Sequence, residues 1–478
     1  MFRHLFYSAL LLLVLVMMCC GSGTVTAQGE VKESTVSKFE WKSITGGVTV
    51  ESLGVPGLLK VGNDAFAVAE AQCSEGGDNS FTGIASQIIT KEKDNTPAEA
   101  LTDPKDKTQF LEEGTSEDQK KRIDVSRPTT IVNGDNIYML VGKYSRRDAI
   151  GQEDRGAEDC GLLLVKGKAG GESSDSIIWG DTSGVPCVST VEEEKVGLTR
   201  LIGGGGSGVK MHDDTLVFPV EGKKENKEGE KAVSLLIYTL KDNAASWKLS
   251  KEAPDGGCSD PSVVEWKDKK LIMMTACDGG RRRVYESGDK GDSWTEALGT
   301  LSRVWGNKKG EEAKGVRSGF ITANIGDGVD VTKRNVMLVT LPVYSEEEDG
   351  KKEKGELHLW LTDNTHIVDI GPVSDDDAAA SSLLYNSAGS GDKKEEELIA
   401  LYEKKGGEEK PSLGMVSVLL TEQLQRVKEV LETWKKADET VSMLCPSSDV
   451  ESTSPSDACS PPVKVTDGLV GFLSGNIS

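Results

Sequence analysis

The sequence predicts an all-β protein of the propeller type followed by one long amphipathic helix, and three observations carry that prediction. The octet Ser287-Gly-Asp-Lys-Gly-Asp-Ser-Trp294 reads S-x-D-x-G-x-x-W, a pattern that closes a strand-turn-strand corner. A worn copy, Asp242-Asn-Ala-Ala-Ser-Trp247, keeps the Asp-to-Trp offset 47 residues upstream (242 against 289). One four-stranded blade occupies about 40 to 50 residues. Short apolar runs bounded by polar loops recur until residue 421, where the hydrophobic period lengthens from two to between three and four.

Each fixed position of the octet has a mechanical reason. Ser287 and Asp289 can accept backbone N–H groups across a tight turn, Gly291 supplies a left-handed backbone, and Trp294 returns to bury its ring between strands. It is a turn device and not a catalyst. A third, weaker echo is Leu361-Thr-Asp363-Asn364, without a tryptophan.

Composition narrows the function classes. Glycine supplies 54 of 478 residues and aromatics 5%, which suits many short strands joined by turns. Lys and Arg number 56 against 78 Asp and Glu, a net charge of −22 that argues against nucleic acid as a partner and for a self-repelling surface.

Taken in order, Arg3 and His4 precede the apolar run Leu5 to Met18 and a small-residue segment ending at Ala27, so residues 1–27 read as a secretory signal. That run is shorter than the roughly 20 residues a bilayer requires. No membrane span is therefore expected after cleavage, and the chain is placed in the secretory pathway, secreted or held at the cell surface. Without Cys19 and Cys20 seven cysteines remain; Cys445 and Cys459 enclose a Ser/Pro-rich loop that a disulfide can staple, and one thiol is left over. Scattered histidines and the lack of a C-x-x-C spacing argue against a metal, and nothing in the motifs calls for a cofactor.

Residues 28–420 form the propeller segment. Its strand candidates are Phe66 to Ala71, Ile137 to Val141, Leu162 to Val165, Leu216 to Val220, Ser234 to Thr239, Val336 to Leu341, Leu357 to Thr362, Ser382 to Tyr385, Leu398 to Tyr402 and Met415 to Leu419. Three charge runs, Glu221 to Lys231, Lys308 to Lys314 and Glu346 to Lys354, read as solvated loops. In residues 421–445, Thr421 is the N-cap candidate, and Leu424, Val427, Leu431, Trp434, Val441 and Leu444 form an apolar stripe over about six turns. Residues 446–478 read as a linker and, at Gly468-Leu-Val-Gly-Phe-Leu473, the first strand of a further unit.

Several segments together resemble the trypanosomal trans-sialidase superfamily. They are Gly257-Cys-Ser-Asp-Pro261 with Glu265-Trp266, Arg281-Arg-Arg-Val-Tyr-Glu286, the octet, Thr300-Leu-Ser-Arg-Val-Trp-Gly306 and Leu359-Trp-Leu-Thr-Asp-Asn364. The helix and residues 468–473 fit the same resemblance. It implies a six-bladed β-propeller of the sialidase fold, joined by the helix to a lectin-like β-sandwich of which only the start is present here. For active members it implies hydrolysis or transfer of α2,3-linked sialic acid. Three arginines would clamp the sugar carboxylate, a tyrosine would attack the anomeric carbon, a glutamate would polarise that phenol, and an aspartate would act as general acid/base.

Position by position, the resemblance puts replacements at most of those places. Gly54, in Leu53-Gly-Val-Pro56, and Ala276, in Met274-Thr-Ala-Cys277, stand where two clamp arginines belong, and Lys354 is the nearest candidate for the third. Glu70 takes the acid/base position, Arg127 replaces the aspartate of an Asp-Pro pair, Ala380 takes the nucleophile's place, and Asp260 stands where active members carry glutamate. Tyr385, an odd number of residues beyond Ala380, points to the other face of its strand. Glu403 matches the polarising glutamate, although a strand-end carboxylate beside Lys404 and Lys405 ordinarily reads as a solvated charge. An aromatic pair that would sandwich the acceptor sugar maps to Ala149-Ile150.

The expectation is a sialidase-like surface or secreted glycoprotein that has lost most of its catalytic groups and acts as an adhesin for host-cell or matrix glycoproteins. The alternatives are an active exo-sialidase or trans-sialidase, and a truncated decoy antigen. Losing the nucleophile and two clamp arginines removes groups that act as a unit.

Overall fold

The computed structural model describes residues 39–76, 79–90, 95–143, 159–170, 175–186, 198–226, 229–239, 247–297, 301, 315–326, 334–344, 354–388, 395–406 and 413–444. The signal segment, Cys445, Cys459, Ala149-Ile150, residues 302–314, 345–353 and 446–478 lie outside them. Six sheets, antiparallel apart from the short parallel pairing of Gly206–Ser207 with Thr129 and Thr130, stand around one axis as blades I to VI. The innermost strands are Thr49–Val61 in blade I, Ser126–Asn133 in II, Cys258–Glu265 in IV, Gly319–Ile325 in V and Ala378–Ala388 in VI; in blade III the axial stretch is Gly203 to Ser207. The apolar core is divided into six clusters, one at each junction between neighbouring blades; Leu59, Phe66, Val68, Met139 and Val165, for example, join blades I and II. Ile399 and Leu401 pack on Leu53, Ala67 and Phe110 to join blade VI back to blade I.

The ring is closed by an early segment. Ala98–Glu99 pairs antiparallel with Ser417 and Val416 and serves as the outer strand of blade VI. Just before it, the Asn95 N–H donates to the Leu419 carbonyl, and the Asn95 side chain accepts the Glu422 N–H at 3.1 Å. The helix Thr421–Leu444 is thus capped by Asn95 rather than by Thr421, the sequence-based candidate. A cap supplied from more than 300 residues away leaves no local signature. Leu424, Val427 and Leu431 are buried against blades V and VI with Trp434 half-buried beside them, whereas Val441, expected on the same stripe, is 55% exposed. His366 stacks on Trp434, and Arg334 bridges Asp363 of blade V to Asp438 of the helix.

The octet occupies the corner between Arg281–Ser287 and Thr295–Glu296. The Ser287 hydroxyl accepts the Gly291 N–H at 2.8 Å, Asp289 accepts the Ser293 N–H at 2.9 Å and the Ser293 hydroxyl at 2.6 Å, and Gly291 has φ 88°. Trp294 is half-buried, its indole N–H donating to the Lys251 carbonyl, so the ring is less enclosed than expected. Trp247 opens the fourth strand of blade III, and Asp363 lies between the third and fourth strands of blade V, so both weaker echoes fall at the same blade corner. Residues 240–246 are outside the described set.

One charge run is corrected. Glu221 to Lys231 is not a solvated loop: Leu216–Asn226 and Gly229–Thr239 form a paired hairpin, with Glu221 inside the blade. The disulfide among the described cysteines is Cys258–Cys277, which joins directly paired residues of adjacent strands and was not read from the sequence. Among the described residues Cys73 is a buried free thiol, its pKa pushed up to about 12 by desolvation.

Candidate functional site at the propeller axis

The site arises from a defect repeated around the ring. In blades I, II, IV and VI the pairing of the first strand with the second slips at Val55-Pro56, Arg127-Pro128, Asp260-Pro261 and Ala379-Ala380. A proline has no N–H to give the ladder, so three of these slips are written into the sequence as X-Pro. A bulge bends its strand and re-aims side chains. Val55, Arg127 and Asp260 accordingly take φ of 57°, 54° and 48°, a region that β-branched and long side chains rarely enter. In blade III, Gly205 and Gly206 reach the same region at 79° and 71°.

These bulges bring charged groups together. One Arg127 guanidinium nitrogen reaches Glu221 at 2.6 Å and Asp260 at 2.7 Å, while its backbone N–H donates to Glu70 at 2.9 Å. Glu221 also accepts the Asp260 N–H at 2.8 Å. Burial holds the Glu221 carboxyl above its ordinary range, with the Arg127 charge opposing that shift and Asp260 adding to it. Arg317, 4% exposed, donates to the Pro261 carbonyl at 3.1 Å and lies against Gly205 and Gly206; desolvation pulls its guanidinium down to about 10. Arg282, 3% exposed, is also pulled down to about 10 by burial while Tyr344 and Asp260 favour its charge.

The positions singled out in the sequence fall as follows. Gly54 pairs directly with Glu70, which is buried beside the Arg127 backbone. Ala276 pairs with Ser259 on one side and Arg282 on the other, one residue from the disulfide, and the Gly315 backbone packs against its methyl group. Glu403 is 6% exposed and holds blades VI and I together, accepting the Val55 N–H at 2.7 Å and the Ala380 N–H at 3.3 Å. The solvated reading of Glu403 is therefore wrong: Lys404 and Lys405 pair instead with Asp376 and Asp377. Lys354 stands exposed just before Gly355–Thr362, near Asp376. Tyr385 donates to Glu396, on the neighbouring strand of blade VI, at 2.8 Å and packs in the core between blades V and VI. Ser287 pairs with Leu271, at the far end of the strand that carries Ala276, so the octet and the charged cluster occupy opposite ends of the blades.

Sequence reasoning missed Glu221, Arg282 and Arg317. A positional rule would have found the first: Glu70, Glu221, Ala276 and Glu403 each follow an apolar run in the second strand of a blade. Among the described residues no group of three or more His, Cys, Asp or Glu is placed to hold a metal ion, and no helix is long and apolar enough to cross a membrane.

The BNR repeat-like domain family matches residues 55–403. Two curated Trypanosoma cruzi proteins are similar: a sialidase, 35% identical over 252 residues (52% of this chain, 20% of the relative), and sialidase 85-1.1, 32% identical over 325 residues (67% and 40%). The chain thus spans less than half the length of either. Among solved structures, Trypanosoma rangeli sialidase in complex with sialic acid is 27% identical with a TM-score of 0.59, covering 83% of this chain and 58% of that one. The same sialidase as a covalent intermediate with 2,3-difluorosialic acid gives 28% and a TM-score of 0.60, covering 83% and 59%.

Proposed function

This chain belongs to the trypanosomal sialidase-like family, and from that premise we propose that it is a member that binds without cleaving, a surface or secreted adhesin recognising host-cell or matrix glycoproteins. The observation that carries the reading is the Arg127 ion pair with both Glu221 and Asp260, in a site where Gly54, Ala276 and Ala380 bear no reacting or clamping group. A retaining sialidase needs a phenolate and a charged carboxylate clamp. Ala380 offers neither, and both oxygens of Glu403 accept backbone N–H groups instead of a phenol. Glu70 retains a carboxyl at the acid/base position, yet proton transfer alone contributes about 10² to 10⁴ of a much larger rate enhancement. The apolar run near the N-terminus supports delivery through the secretory pathway.

The test is turnover of a fluorogenic α-sialoside by the purified chain, with release no greater than buffer expected. Release at rates typical of enzymes, about 1 s⁻¹ or faster, would reverse the reading in favour of an active exo-sialidase or trans-sialidase, the function named for the relatives. Retention of the chain on immobilised matrix proteins or host-cell surfaces separates an adhesin from a decoy, which would be retained by neither.

A further inference from the structure

A lysine, an asparagine and a glutamate meet in series where the last blade joins the first. Thr49–Val61 and Ala378–Ala388 are the inner strands of blades I and VI, and across their junction the Leu58 N–H donates to the Ser382 hydroxyl at 3.1 Å. Two residues beyond Leu58, the Lys60 amino group donates to the side-chain carbonyl of Asn386. The amide nitrogen of Asn386 donates in turn to Glu397 at 3.1 Å, and Glu397 is its direct cross-strand partner within blade VI.

The pairing differs from that of neighbouring lysines. Lys404, Lys405 and Lys428 each sit on a carboxylate, those of Asp376, Asp377 and Glu396, whereas Lys60 is set on a neutral carboxamide that is only 5% exposed. The strands around it are apolar: Leu58, Leu59, Leu398 and Ile399 are at most 4% exposed. Lys60 lies next to the hairpin end of its strand, while Gly54 of the same strand pairs with Glu70 beside the axial cluster. The trio is therefore remote from the site described above and independent of what that site binds.

We propose that Lys60 and Asn386 join in an intramolecular isopeptide bond that closes the propeller covalently, with Glu397 as the proton carrier. The lone pair of the uncharged Lys60 Nζ attacks Asn386 Cγ, so that Nζ and Nδ2 sit on one carbon within reach of one carboxylate. Glu397 takes the proton that Nζ sheds and passes it to Nδ2. The Nζ–Cγ bond is made, the Cγ–Nδ2 bond breaks, one ammonia leaves, and Glu397 returns to its starting state. Amine and amide held in contact react at an effective concentration of about 10⁵ M or more, and proton transfer by a placed carboxylate adds about 10² to 10⁴ in rate. The event happens once per chain, so a slow rate suffices.

The test is the intact mass of the purified whole chain, reduced and denatured, followed by a tryptic map. The wild-type chain is expected to fall one ammonia short of the mass its own sequence requires, to resist trypsin after Lys60, and to yield a branched peptide holding both Lys60 and Asn386. Lys60→Arg and Asn386→Ala should match their sequence masses. On a reducing, denaturing gel they should run apart from wild type, because a link between residues 326 positions apart keeps the denatured coil compact. Glu397→Gln keeps an acceptor for the amide but cannot carry the proton, so its chain should also have full mass. Circular dichroism identifies the folded variants, and the wild-type mass depends on none of them. Full sequence mass with cleavage after Lys60 in the wild-type chain would overturn the proposal and leave a hydrogen bond in its place. A missing ammonia that persists in Lys60→Arg would put the loss at another residue, such as a cyclised asparagine, and overturn it equally. A link that forms in folded Glu397→Gln would overturn the role given to Glu397.

Discussion

Replacing Arg127 by methionine keeps most of the side-chain volume and removes the one cation that serves two carboxylates. Glu221 is 7% exposed and would be left with an uncompensated charge; Asp260, at 27%, would recover part of its hydration. Removing one partner of a buried pair costs about 3 to 5 kcal/mol, and the partial exposure of Arg127 and Asp260 reduces this to roughly 2 to 4 kcal/mol. The thermal midpoint should fall by about 2 to 5 °C, because a propeller of about 390 residues unfolds with an entropy of roughly 0.8 kcal/mol/K and so shifts by roughly 1.2 °C per kcal/mol. The loss should also depend on pH in a fixed direction. Burial raises the Glu221 carboxyl in the folded state, with Arg127 opposing the shift. A carboxyl raised on folding favours the folded state below its unfolded value and disfavours it as pH climbs through the folded value. Without Arg127 the folded value rises further, so the variant should be weakest at neutral pH and recover as the solution approaches pH ~5. Adding Glu221→Gln should restore a large part of the loss at neutral pH. Thermal unfolding of the wild-type chain, both single variants and the double variant at pH 5 and 7.5 tests this. A single variant as stable as wild type at pH 7.5, or a double variant no better than Arg127→Met, would refute the reasoning.

Three further outcomes are expected. Ala380→Tyr should restore no sialoside turnover, because positions 54 and 276 still hold no guanidinium; release above buffer in the same fluorogenic assay would contradict the account of the site. Asp289→Ala removes acceptors for Ser287 and Ser293 and should lower stability by about 1 kcal/mol. The Ser293 hydrogen bond holds this carboxyl below its ordinary range, so its contribution is present above pH about 4, fades in acid, and the gap to wild type should close there; a gap that widens in acid would be wrong for this geometry. Leu424→Ala, on the buried side of the helix, should cost about 2 to 4 kcal/mol and expose the helix to limited proteolysis before the blades; equal protease resistance would show that the helix is held by other contacts.

The fold was legible in the sequence because its information is local. A turn octet and alternating strands declare themselves within a dozen residues, and an amphipathic stripe within a few helical turns. Motifs at strand ends marked positions for the family's site, and of these Glu70, Arg127 and Asp260 meet in one charged cluster. What those places contain chemically was not legible. Glu403 looks like a solvated charge beside Lys404 and Lys405 until Val55, 348 positions away, presents its N–H. Glu221 opens a run of charges that suggests a loop, and only the pairing of two long strands buries it. Cys258 and Cys277 carry no spacing signature, because their closeness is created by a ladder that Ser259 and Ala276 continue. Burial, and with it charge state, depends on which blades meet at the axis, and no window of neighbouring residues reports that.

Residues 95–99 complete the outermost ladder of blade VI and also supply the cap of the helix. A repeat array built as an open stack can lose terminal units one at a time. Here the circle has a single seam, stitched by a segment laid down early in synthesis, so the last blade cannot mature before that seam is sewn. Detaching those five residues would strip blade VI of its outer strand and the helix of its cap in the same event, leaving the helix held by its packing on blades V and VI and the ring by the core that joins blade VI to blade I.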